Sequence, residues 1–171
     1  PIPGPFSMLS FASVAYDENG KELGSFFRNL DLLPGAKQHY DTMGFWAKNQ
    51  DAYNATRLDT MDPLQAMDEY RVWLRKYPSP VFVGYPAGFD FTWVYWYLIN
   101  FGDESPFSFS ALDIKTAVMF TLGTDYRKST KKHMPKSWFD KKLDHTHVAL
   151  DDAREQGHLF FSVLRDNKNL R

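Results

Sequence analysis

Apolar and polar positions alternate from Met8 to Tyr16, and Asp17-Glu-Asn-Gly20 follows as a turn signal. Lys21 to Leu30 then reads as the returning strand of a hairpin. Asp31 to Tyr40 is a loop containing Pro34-Gly35, and Thr42 to Tyr53 predicts a short helix. Asp62-Pro63 pairs an N-cap with proline at the first helical position, opening a helix that continues to Lys76. Pro78, Ser79 and Pro80 break that helix before Val81-Phe-Val83, a β-branched and aromatic run suited to a buried strand. Asp90 opens the next helix, Phe107 to Leu112 is a short strand, and Asp113 caps another helix. In the last segment Val148, Leu150, Ala153, Leu159, Phe160, Val163 and Leu164 recur every three to four residues, predicting one packed helix from Val148 to Asp166.

Phe91-Thr-Trp-Val-Tyr-Trp-Tyr-Leu-Ile99 is apolar on nearly every side. Such a helix must be buried from two directions, by the sheet and by a loop or second subunit. At 171 residues the chain is expected to form a single domain over 1–171. Hairpin strands first and strand–helix units later predict an α/β fold. The longest apolar run is far below the roughly 20 residues a membrane span needs, so a cytoplasmic protein without membrane association is expected. The chain has no cysteine, which excludes disulfides and thiolate metal sites and agrees with a reducing compartment.

Net charge is −1, from 20 Lys and Arg against 21 Asp and Glu. That balance argues against tight, sequence-independent binding of duplex DNA, which draws on many phosphate contacts. Holding a few nucleotides at an end is compatible with it. Charge is uneven, with Arg127, Lys128, Lys131, Lys132, His133, Lys136, Lys141 and Lys142 in one stretch. That stretch is either a solvated loop or an electrostatic guide for a phosphate backbone. Aromatics reach 17%, enough for a core and for base-stacking surfaces.

Two segments carry candidate chemistry. Asp90 stands just past the end of a predicted strand, where open α/β sheets bind ligands. His147 lies five positions before Asp152 at the mouth of the last helix, an arrangement suited to a mobile base beside a metal-binding carboxylate. Asp151 and Asp152 share the first turn, about 100° apart, so one of the two can face such a site. Each acid could equally be a helix cap.

Together, Gly88-Phe-Asp90 and His147-x4-Asp152 resemble the second and third motifs of the DEDDh 3′–5′ exonucleases, RNase H-like enzymes. With Pro1-Ile-Pro-Gly-Pro-Phe-Ser-Met-Leu-Ser10, the set is most similar to the ribonuclease AS branch of adenylate-preferring exoribonucleases. The resemblance runs from Pro1 to about Phe161. It implies an RNase H-like mixed sheet flanked by helices and two Mg²⁺ or Mn²⁺ ions. It implies that Asp152 binds the ion that activates water, that Asp90 holds the ion on the leaving-group side, and that His147 is general base. The implied substrate is a single-stranded RNA 3′ end, adenylate-rich in that branch, and the implied assembly is a homodimer. Ser7 and Met8 would contact the terminal nucleotide, with strand packing as the alternative. Phe45 and Trp46 would stack on a base, at roughly 1–3 kcal/mol per base, with core packing as the alternative.

In that branch an Asp-x-Glu motif on the central first strand precedes the segment at Pro1, and this sequence carries no such motif. The resemblance therefore implies a strand upstream of Pro1, lying between Met8–Tyr16 and Val81–Tyr85 and bearing two further acids. Without it, buried edges would leave unpaired backbone groups at about 1–3 kcal/mol each. Two other readings stay open: a non-catalytic nucleic-acid-binding module of the same fold, and a zinc hydrolase using His145 and His147.

Overall fold

The computed structural model describes residues 1–140, 143 and 146–169. Strand β1 (Ser10–Tyr16) pairs antiparallel with β2 (Glu22–Leu30) from Ser10–Asn29 to Tyr16–Glu22, with a bulge at Ala15/Tyr16. Asp17 closes the hairpin by accepting from the Asn19 and Lys21 N–H groups, and Gly20 turns the chain at φ +83°. A two-residue strand, β3 (Thr60–Met61), joins β2 in parallel. It is too short to leave an alternation in the sequence. Helices α1 (Tyr40–Lys48) and α2 (Gln50–Ala55) replace the single short helix expected over residues 42–53, and neither buries a residue.

Helix α3 (Pro63–Leu74) starts as predicted, with Asp62 accepting from the Leu64 and Gln65 N–H groups. Strand β4 (Phe82–Gly84) pairs in parallel with β5 (Ala111–Asp113), and between them runs α4 (Ala87–Asn100). Helix α5 (Ile114–Leu122) follows β5, and α6 (Ala149–Asn169) ends the chain. The layer is thus α/β with mixed pairing, but it forms two sheets, β1-β2-β3 and β4-β5, where one was expected. Among the described residues no ladder joins β1 to β4.

Two apolar clusters hold these layers. Phe11, Phe26 and Leu30 of the hairpin meet Met67, Tyr70 and Trp73 of α3 and Trp93, Tyr97 and Leu98 of α4. Ile114 and Val118 of α5 meet Trp138 and the Leu159 and Val163 side chains of α6. Helix α4 is covered from inside the chain, by α3 on one side and by β4 and β5 on the other. That coverage meets most of the burial this helix requires without a second subunit, leaving Phe89 and Ile99 exposed. Among the described residues no helix is long and apolar enough to cross a membrane.

A candidate carboxylate site between strand β4 and helix α6

Asp90 is not the cap of α4. Pro86 takes that position, and Asp90 falls inside the first turn, beside the backbone of Gly84. A Cβ at Gly84 would come within 3.3 Å of the Asp90 carboxylate and 3.2 Å of the Ala87 backbone, so this crossing depends on glycine. Asp113 fixes the same corner from the neighbouring strand: it caps α5 through Thr116 and accepts from the Ala87 N–H at 2.9 Å. Burial pushes the Asp113 carboxyl up, but the hydrogen bonds from Thr116, Ala87 and Lys115 outweigh it and hold the group below its ordinary value. Asp113 is therefore a structural cap.

Across from Asp90 stands α6. Its stripe Asp152, Gln156, Leu159, Val163 repeats at four, three and four residues, the spacing of one helical face. Leu159 and Val163 are buried in the second cluster, and the Gln156 Oε1 accepts from the Tyr85 N–H at 2.8 Å. These anchors bring Asp152 within electrostatic reach of Asp90. Burial is the chief reason the Asp90 carboxyl is pushed up to about 6; Gln156 and the Tyr85 backbone oppose the rise, and the Asp152 charge adds to it. Asp151, about 100° away around the helix, accepts from the Thr146 hydroxyl at 2.7 Å.

His147 precedes this helix in a left-handed backbone conformation, φ +60°, which for a non-glycine residue costs on the order of 1–3 kcal/mol. Its ring packs edge-on to Phe45, centroids 5.0 Å apart, and Phe45 in turn meets Trp46 at 5.0 Å. Two groups thus form: Asp90 with Asp152, and His147 with the aromatics of α1. Among the described residues no three His, Asp or Glu side chains converge as a metal cluster. The carboxylate pair nevertheless suits a hard divalent cation, since both groups offer oxygen ligands and burial penalises the ionised form of Asp90.

The remaining candidates separate. Met8 is buried in the core, its N–H donating to the Tyr97 hydroxyl at 2.8 Å, so its side chain packs rather than offering a nucleotide contact. The Ser7 hydroxyl accepts from the Leu33 N–H, tying the chain start to the loop after β2. Phe45 is 39% exposed and Trp46 half-buried, with its indole N–H enclosed. His145 of the zinc reading lies outside the described residues, as do Lys141 and Lys142. From the basic stretch, Lys131 reaches the site's edge, donating to Glu155 at 2.8 Å beside the Tyr85 ring. Gln156 went unnoticed in the sequence, although its position four residues after Asp152 marks it as sharing that face.

No protein-family model matches the chain. The chain is similar to the 3′-5′ DNA exonuclease Cap18 of Escherichia coli, at 28% identity over 94% of this chain and 83% of that protein. This similarity supports a 3′–5′ exonuclease activity. It also corrects the substrate expected from the resemblance to exoribonucleases, because the relative's name specifies DNA and not an RNA 3′ end.

Proposed function

We propose that this chain acts as a divalent-metal-dependent 3′–5′ exonuclease on DNA, with Asp90 and Asp152 as cation ligands and His147 as general base. The observation that supports it most is the Asp90–Asp152 pair, brought together by β4 and α6 in a chain similar to a DNA exonuclease. A bound divalent ion supplies Lewis-acid polarisation of the scissile phosphate and lowers the pKa of attacking water. Asp90 and Asp152 provide the hard oxygen ligands such an ion takes. Burial raises the free energy of the ionised Asp90, so cation binding there relieves a standing electrostatic penalty.

His147 accepts the proton of the attacking water at an imidazole nitrogen, and Phe45 against its ring restricts where that ring points. Phe45 and Trp46, on a helix with no buried residue, offer faces on which a terminal base can stack. Helix α6 spans both sheets, packing on β1 and bonding the chain just after β4. An acid-bearing extended strand seated between β1 and β4 would extend the ligand shell beyond the Asp90–Asp152 pair and satisfy both strand edges.

The test is a 5′-labelled DNA strand incubated with the protein and Mg²⁺ or Mn²⁺. Stepwise shortening from the 3′ end, stopped by a chelator, is the expected result. Internal cuts, or strand binding without metal-dependent turnover, would favour the non-catalytic module.

A further inference from the structure

The outer side of α6 repeats the spacing of the inner one. Arg154, His158, Phe161 and Arg165 also recur at four, three and four residues, displaced by two from the Asp152 stripe and so about 200° around the helix. This stripe forms one wall of a groove of about 270 Å³, whose other wall is the β1–β2 turn with Tyr16 and Glu22. The walls are fitted closely. A Cβ on Gly20 would lie 3.0 Å from the Phe161 ring, and one on Gly157 would lie 2.4 Å from the Tyr16 ring. Tyr16 and Phe161 meet at 5.5 Å and make an apolar floor.

Two arginines stand on the rim. Arg154 donates to Glu22 through Nε at 3.3 Å and through a terminal nitrogen at 3.1 Å, while its side chain stays 35% exposed. Arg165 is exposed and leans on the buried Ser162 hydroxyl at 3.1 Å. Among the described residues, Glu22 is the one acid lining the groove, beside Arg154, Arg165 and His158. From Arg154 to Arg165 the helix rises about 16 Å. Two arginines set above an aromatic floor are chemistry suited to holding a phosphodiester backbone.

We propose that this groove is a second DNA-binding site, which holds the phosphodiester backbone of a single strand away from the Asp90–Asp152 pair. It rests on the exonuclease reading for its substrate, but its test needs no turnover. Binding of a fluorescent long oligothymidylate is followed by anisotropy in chelator across a salt series, for the protein and for Arg154→Gln/Arg165→Gln. The double variant should bind several-fold more weakly. Its slope of log affinity against log salt should flatten by about 1.4, at ~0.7 per lost contact on a single strand. Glu22→Gln should tighten binding, because it releases Arg154 from its acid; a merely structural ion pair gives no such gain. On a dinucleotide too short to span the groove, turnover by the double variant should match the parent. Unchanged affinity and slope in a double variant that melts cooperatively would overturn the proposal, whatever the outcome for catalysis.

Discussion

Two stripes of one helix, set two residues apart, meet opposite environments. The inner stripe of α6 passes from Asp152 and Gln156 into Leu159 and Val163, which are 0% and 1% exposed. The outer stripe passes from Arg154 through His158 and Phe161 to the exposed Arg165. On the inner side, burial pushes the Asp90 carboxyl up to about 6, and the Asp152 charge adds to the rise. On the outer side, water screens the arginines, and Arg154 with Glu22 adds at most about 1 kcal/mol. Charge on the inner face therefore carries a desolvation penalty that a bound cation would relieve, whereas charge on the open face is screened by water.

The contrast is broken most decisively on the inner face. Asp90→Asn and Asp152→Asn should each lower exonuclease turnover by roughly 10³-fold, equivalent to about 4 kcal/mol of transition-state stabilisation. Rate assays on a labelled DNA strand check this, with circular dichroism confirming that the fold survives. His147→Ala should lower the rate by about 10²–10⁴-fold. Cation affinity should be kept in that variant, because the His147 ring packs on Phe45. A calorimetric Mn²⁺ titration separates the two classes of variant.

The same carboxyl that serves turnover should weaken the metal-free fold. Asp90 has a folded-state pKa raised to about 6, so the folded protein keeps its proton longer than the unfolded chain does. The penalty is absent below about pH 4, develops as pH rises, and is complete above pH 6. In chelator near pH 8, Asp90→Asn should be more stable by on the order of 1–3 kcal/mol, with the gap closing toward pH 4. Urea melts at the two pH values measure it, and a gap that widens on acidification would reverse the assigned cause.

Much of this was legible in the sequence because it is local. The hairpin from Met8 to Leu30, the Asp62-Pro63 start, the Asp113 cap and the last helix each rest on period or capping chemistry within a few residues. Helix phase separates the adjacent Asp151 and Asp152, and the spacing of the resembled motif selects Asp152; Asp151 accepts from Thr146, while the Asp152 charge acts on Asp90. What escaped depends on distant partners. Met8 alternates like a surface-touching strand residue but is claimed by the Tyr97 hydroxyl, 89 positions away. Asp90 resembles a cap, yet Pro86 sets the helix start earlier. The split into two sheets follows from pairing between strands, which no single segment encodes. The approach of Phe45 to His147 is likewise a tertiary contact across about a hundred residues.

The smallest effect sharpens the helix phase. Asp151→Asn should leave turnover within a few-fold of the parent and lower stability by about 0.5–1 kcal/mol, from weakening the hydrogen bond to Thr146. Side-by-side rates for the 151 and 152 variants decide it; equal damage would turn the helix the other way.

We propose the half-buried Asp90 and Asp152 of the inner face as the cation site. Isothermal titration of the chelator-treated protein with Mn²⁺ tests it most directly, alongside Asp90→Asn, Asp152→Asn and Arg154→Gln/Arg165→Gln. Saturable binding, lost in both aspartate variants and kept in the arginine double variant, is the predicted result. Binding of equal strength in all four proteins would contradict it.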